Sequence, residues 1–210
     1  MSWSMVVGIV ASAVFLVRLL PQPARLARTG VADGVSPMAA LNAVLSAIAW
    51  TIYGVEASLP IVWVVSVLAL FPGIWTVWLL RYSVRRSDVV GAGAWALIIA
   101  VALGMGDLGS VLPLSVATSM GPQVVAALRG SDLTGIASMT MWVALLDAAA
   151  WGGYGMVIGD RPLALYGLVL SASAITVLLR IIRTAARAPQ TVSPTPPPDD
   201  ERVMADAVGV

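Results

Sequence analysis

One acid of this 210-residue chain stands firmly inside an apolar run: Asp147, in MWVALLDAAAWGG. An ionised carboxyl group is costly in hydrocarbon, so such a residue faces a bundle interior or a wet cavity and is a functional candidate by default. The chemistry open to it is proton uptake and release. The competing role is structural, as a carboxyl group kept protonated or hydrogen-bonded to Ser46 or Asn42. Ser46, Asn42 and Ser66 are the polar groups of the first half, and Ser171 and Ser173 belong to the last apolar run. Each serine also has the ordinary option of bonding to a carbonyl of its own helix. Trp50, Tyr53, Trp151 and Tyr154 fit two readings: an aromatic belt at a membrane surface, or rings that stack against a sugar face or another flat solute. Trp75 and Trp78 fit the belt.

Cys and His are both absent. This excludes disulfides, thiolate nucleophiles, a haem held by His and the usual zinc sites. No phosphate loop, nucleophile elbow or paired-carboxylate hydrolase site is found. The expectation is a protein that binds and moves a solute, not an enzyme, with no cofactor and no metal.

These residues are positioned by an internal repeat. Sliding the chain by 101 positions lays PQPARLARTGVADGVSPMAALNAVLSAIAWTIYG, from Pro21 to Gly54, onto PQVVAALRGSDLTGIASMTMWVALLDAAAWGGYG, from Pro122 to Gly155, with 12 identities in 34 pairs and no gap. Among the identities are Pro21 with Pro122, Gln22 with Gln123, Trp50 with Trp151, and Tyr53 with Tyr154. An internal duplication explains them better than shared composition does. Beyond the glycines, Leu59-Pro60-Ile61 answers Arg161-Pro162-Leu163 if one residue is inserted.

The chain is 59% hydrophobic and 11% charged, with a mean hydropathy of +0.92, which cannot build a water-facing surface of this size. A bilayer span takes about 20 apolar residues. Seven segments qualify: about 3 to 20, 35 to 55, 60 to 80, 89 to 105, 108 to 127, 134 to 156 and 162 to 183. The fourth and fifth are the weakest, because MGDLGS at 105 to 110 separates them only thinly and Pro113 sits early in the fifth; a six-span reading would merge or drop one of them. The N-terminal run lacks a basic n-region and reads as a retained span rather than a signal peptide. With seven spans and an outside N-terminus, 10 of the 12 Arg fall in inner loops, at the inner end of the last span and in the tail, as the positive-inside rule prefers. A formal charge of +1 with no Lys gives no support to a nucleic-acid partner.

The expected fold is an all-α integral membrane protein of seven transmembrane helices, two parallel three-helix repeats joined by a linker helix (3+1+3). The first repeat is 1–84, the linker helix 85–107 and the second repeat 108–187. Residues 188–210, rich in Pro and acidic residues, read as a disordered cytoplasmic tail. Three is odd, so an extra span between the repeats keeps both in one orientation. Pro21 and Pro122 fall at the inner ends of the first and fifth spans, where proline bends or stops a helix and serves as a hinge. Gln22 and Gln123 can satisfy the backbone groups this frees.

Pro-Gln, Arg-x-Gly at 28–30, Gly-Val-Ser at 34–36 and Trp-x-x-Tyr-Gly at 50–54 resemble the PQ-loop repeat, and two such repeats around a linker resemble the SWEET sugar-transporter family. The resemblance implies two triple bundles around a central site that opens to each side in turn, with a sugar moving by facilitated diffusion. It assigns the pocket tryptophans to Trp50 and Trp151, the polar position four residues before each to Ser46 and Asp147, and the motif prolines to Pro21 and Pro122. Departures occur where relatives place Asn, here Val65 and Gly167, and where they place proline, here Ala39 and Thr140, with Pro37 nearby. Related PQ-loop carriers move amino acids with protons through a membrane carboxylate, a role that Asp147 matches.

The leading expectation is thus a small-solute transporter, for a sugar or an amino acid, in the lipid bilayer of the cell membrane with its C-terminus cytoplasmic. The expected solute site is Asn42, Ser46, Trp50, Asp147 and Trp151, and the expected hinge is Pro21, Gln22, Pro122 and Gln123. A proton-coupled carrier using Asp147 is the alternative, and a non-transporting membrane scaffold is the reading of another class. A homo-oligomer is compatible with the sequence.

Overall fold

The computed structural model describes residues 2–30, 32, 35–129 and 138–187. Gly34 and Gly135 of the repeat and the tail from 188 onward lie outside the described residues. Every regular element among the described residues is helical: α1 (Trp3–Leu19), α2 (Pro21–Thr29), α3 (Pro37–Glu56), α4 (Pro60–Leu80), α5 (Arg86–Gly104), α6 (Leu108–Val111), a 3-10 turn (Leu112–Leu114), α7 (Ser115–Leu128), α8 (Ser138–Ile158) and α9 (Arg161–Arg187).

Six helical segments are long and apolar enough to cross a bilayer: Trp3–Thr29, Pro37–Glu56, Pro60–Leu80, Arg86–Gly104, Met139–Ile158 and Arg161–Thr184. The chain therefore has the architecture of a multi-pass helical membrane protein. The fifth expected span is different. Its apolar helix, Leu108–Gly121, is shorter than the others and is broken into α6, the 3-10 turn and α7 around Pro113. Large apolar side chains face outward on the long helices, Val17 of α1, Phe71 of α4, Leu97 of α5, Leu146 of α8 and Leu168 of α9 among them. Lipid is the solvent that accepts such faces.

Local chemistry explains most of the boundaries. Ser2 and Ser36 accept from the backbone N–H groups of Met5 and Ala39, both at 3.3 Å, and so cap α1 and α3. Pro37 and Pro60 take first-turn positions, where a missing N–H costs nothing. Pro21 cannot donate to the carbonyl one turn back, and α1 stops at Leu19 just ahead of it. Beyond the break, α2 lays Pro23 and Leu26 inward, and Leu26 joins Ala40 and Leu80 in a small apolar cluster. In the second half α7 runs on through residue 122 to Leu128, and the discontinuity falls at Pro113 instead.

Two αα-hairpins share one turn. Leu59 N–H donates to Gly54 O at 2.7 Å, and Asp160 N–H donates to Gly155 O at 2.8 Å. Ser58 and Gly159 hold the positive φ of the turn, 56° and 74°. A Cβ on Gly54 would lie 2.7 Å from Trp63 N, and one on Gly155 2.5 Å from Ala164 N. Each of these pairs is offset by 101, so the register passes through the turn unbroken. The inserted residue expected beyond Gly155 is not there. Pro60 and Pro162 instead occupy neighbouring first-turn positions of their helices, and either suits proline. Val65 consequently answers Tyr166, and Ser66 answers Gly167.

The main core joins α1, α3, α4, α5, α7, α8 and α9. Neighbouring helices pair as α3 with α4, α8 with α9, α1 with α4, α7 with α9, α1 with α8, and α3 with α7, while α5 lies on α3.

Candidate functional site

A cavity of about 350 Å³ occupies the middle of this bundle. At one limit its wall is Trp50, Val62, Ser115, Trp151 and Leu163. From there it runs between α1, α3, α4, α7, α8 and α9 to Gln22, Ser36, Thr76, Gln123 and Thr140. Ser36 caps α3 and Thr140 stands in the first turn of α8, so the cavity reaches the bundle end whose connections carry Arg25, Arg28, Arg81, Arg85 and Arg86.

The opposite end is packed shut. The Tyr53 hydroxyl donates to Asp160 Oδ2 at 2.5 Å, while Asp160 Oδ1 accepts from Leu163 N–H at 2.9 Å and so caps α9. A Cβ on Gly109 would meet Pro162 at 2.9 Å and Tyr53 at 3.0 Å, and one on Gly8 would meet Ile61 at 2.6 Å and Tyr154 at 3.0 Å. Six helices, α1, α3, α4, α6, α8 and α9, thus converge so closely that a methyl group at either glycine would force a neighbour to shift.

Trp50 and Trp151 form the floor between this seal and the cavity. They are 8% and 4% exposed, which overturns the belt reading for both. Each meets the tyrosine three residues on edge-to-face, Trp50 with Tyr53 at 5.7 Å and Trp151 with Tyr154 at 5.8 Å. Trp50 also meets Tyr166 at 5.6 Å, and Trp151 meets Phe15 at 6.4 Å. Such contacts hold rings in fixed planes. The Trp50 indole N–H points to Ser115 Oγ at 3.5 Å. Trp75 and Trp78 lie exposed on α4, as belt residues do.

Asp147 is 0% exposed and is absent from the cavity wall. Its partners are neither Ser46 nor Asn42, the two expected from the sequence. Asp147 Oδ2 lies 3.3 Å from Arg18 Nη2 and accepts from the Tyr166 hydroxyl at 3.4 Å. Arg18 Nη2 in turn donates to the Tyr166 oxygen at 3.3 Å, and the guanidinium lies 5.5 Å from the Phe15 ring centre. Arg18 and Tyr166 line the cavity and stand between it and the acid. Ser46 lines the cavity too, but its Oγ accepts from the Trp95 indole of α5 at 3.0 Å. Asn42 is buried in a cleft with Met38, Gly91 and Trp95, away from the central cavity.

Of the expected solute residues, Ser46, Trp50 and Trp151 are therefore brought together at the cavity, and Asp147 backs it through Arg18. Gln22 and Gln123 also line it. Arg18, Tyr166, Ser115 and Trp95 were not expected from the sequence. Arg18 carried a signal, being a charge inside the first apolar run. Tyr166 carried one only in the unbroken 101-residue register, where it replaces Val65. No group of three or more acidic side chains that could hold a metal occurs among the described residues. A comparison with protein-family models finds no match, and neither does a search of curated proteins.

Proposed function

We propose that the protein is a small-solute carrier that works by alternating access. The observation that carries this reading is the central cavity, which reaches one bundle end and is sealed from the other by Trp50, Trp151 and the Tyr53–Asp160 contact. A carrier needs such a site at mid-depth, open to one side at a time. In the topology favoured by the arginines, with the N-terminus outside and the C-terminus cytoplasmic, this is an inward-facing state in the cell membrane. The process is binding and rocking, with no covalent step.

The SWEET-like plan, two three-helix repeats (1–84 and 108–187) around a linker (85–107), is supported by the helix pairs. Shifting by 101 residues carries α3–α4 onto α8–α9 and α1–α4 onto α7–α9, and it exchanges α1–α8 with α3–α7. A pseudo-twofold arrangement has this property. A wall bearing serines, glutamines and two tryptophans suits a sugar, whereas the ion pair at Arg18 favours the alternative of an amino acid or another charged solute.

The test is uptake of a labelled panel of sugars, amino acids and simple carboxylates into proteoliposomes, with and without an inward proton gradient. Saturable uptake of any member supports the carrier. Folded protein that moves none of them sinks it and favours the scaffold.

A further inference from the structure

The side chains at the cavity wall include one that is built to take a ligand. Arg18 is the only charged side chain among the described residues lining the cavity. Both of its polar contacts, to Asp147 and to Tyr166, run through Nη2 at 3.3 Å, and its Nε is buried without a hydrogen-bond partner. A guanidinium carries five N–H donors in a planar fork. Charge-assisted N–H···O bonds close to about 2.7–2.9 Å and favour two-pronged geometry, so the single, longer contact to Asp147 leaves the fork largely unmatched. Asp147 is under-bonded as well, because its Oδ1 has no partner. Two under-bonded charges in a low-dielectric site are costly, and a carboxylate arriving in the cavity supplies what Arg18 lacks.

We infer that the cavity takes a small monocarboxylate, with Arg18 as its receptor and Asp147 as the internal counter-ion that the solute displaces. The inference rests on the carrier reading above and names its solute class. At about 350 Å³, and roughly 30 Å³ per water, the cavity has room for about a dozen waters, enough for an acid of a few carbons together with hydrating water. The buried Gln123 Oε1 lines the cavity without a partner, and it can accept from an amino or hydroxyl group beside the carboxylate. Phe15 and Trp151 offer the solute an apolar wall.

Displacement has a consequence for protons. Once the solute's carboxylate takes Arg18, Asp147 remains out of water without a counter-ion. It then takes onto Oδ1 one proton that comes from the bulk solution through the cavity, while Tyr166 stays on Oδ2. The titratable groups facing Asp147 from the helices packed on α8 are Arg18 of α1 and Tyr166 of α9. One monoanion and one proton enter together, a neutral load.

The test uses the purified full chain in detergent and calorimetric titration with acetate, lactate, pyruvate and alanine, set against glucose and the neutral amides acetamide and lactamide. At least one carboxylate is expected to bind, and its amide at least about tenfold more weakly. Asp147→Asn should bind the carboxylate more tightly and lose the difference between mildly acidic and neutral pH. Since Arg18→Gln alone can misfold, the charge-balanced Arg18→Gln/Asp147→Asn pair is the companion variant, and it should fold and lose binding. Equal binding of acid and amide, loss of binding in Asp147→Asn, or retention in the double variant would each overturn the inference, as would no carboxylate binding at all. If glucose alone binds and is taken up, the carrier stands and the monocarboxylate falls; if nothing binds or moves, both fall.

Discussion

Arg18 Nη2 and Asp147 Oδ2 lie 3.3 Å apart and join α1 to α8. The positions related to them by the 101-residue offset are Ser119 and Ser46. Two departures from the internal likeness, each replacing a serine with a charge, are thus in contact with each other. The pair departs from the sequence likeness at two matched positions and leaves the cavity a cationic wall at Arg18 and a hydroxyl at Ser119 and at Ser46.

Removing only Arg18 strands a carboxylate that is 0% exposed. Arg18→Ala should destabilise the protein by about 3–5 kcal/mol, the usual cost of breaking a buried ion pair from one side. Adding Asp147→Asn should restore most of that. Thermal unfolding in detergent reads both variants. A double variant no more stable than Arg18→Ala would show that the lost pairing is not the cause.

The Tyr53–Asp160 bond is the polar part of the seal at the closed end. Tyr53→Phe removes the donor and keeps the ring packed on Trp50. The chain has no Cys, so a single Ser119→Cys places one thiol on the cavity wall. In the parent that thiol should react with an impermeant maleimide from the arginine-bearing side only. With Tyr53→Phe added, reaction from the opposite side should appear, whereas one-sided labelling would mean that Tyr154, Ile61 and Pro162 hold the seal without the hydroxyl.

Apolar length and the repeated motif made the long helices legible in the sequence, because bilayer thickness fixes the one and duplication the other. Pro113 was also legible as a weak point, and the helix breaks there. The site was harder. Asp147 was readable as a buried acid, yet its partner was not, because periodicity says which face a residue occupies and nothing about which distant helix meets it. Arg18 does not stand out in the sequence, because an arginine near the end of a span is an ordinary topology signal. Tyr166 was hidden by an unneeded insertion that matched Pro60 to Pro162. Asn42 and Ser46 sit one turn apart on α3, and only the packing of α5 shows that Asn42 turns from the cavity and that Trp95 occupies the Ser46 hydroxyl.

The glycines at the hairpins admit close backbone approach. On Gly155 a Cβ would stand 2.5 Å from Ala164 N, and on Gly167 2.6 Å from Ala148 O and 2.7 Å from Gly152 N. Backbone cannot swing aside as a side chain does, so α8 and α9 would be forced apart. Gly155→Ala and Gly167→Ala should each cost about 1–3 kcal/mol, as overpacking does. Gly93, with nothing within 4 Å of its added Cβ, is the control. Gly93→Ala should be neutral or stabilising by up to about 1 kcal/mol, the helix-interior difference between the two residues. Equal losses at all three positions would show that close approach is not what selects glycine here.

The two motif prolines should differ in consequence. α1 stops just before Pro21, and α2 then places Leu26 against Leu80 and Ala40, whereas α7 continues past residue 122. Pro21→Ala restores an N–H one turn after the Val17 carbonyl and eases the break between α1 and α2, while Pro23 still withholds an N–H from the Leu19 carbonyl. The outer part of α2 should then move away from α4. Spin labels at Arg28→Cys and Ser83→Cys, in the otherwise Cys-free chain, report that separation. It should lengthen in Pro21→Ala, and uptake should slow with it. Pro122→Ala should leave the separation unchanged and alter uptake less. An unchanged distance in Pro21→Ala that lengthens only when Pro23→Ala is added would place the bend at Pro23, and one unchanged in both would mean that the packing of Leu26 sets it.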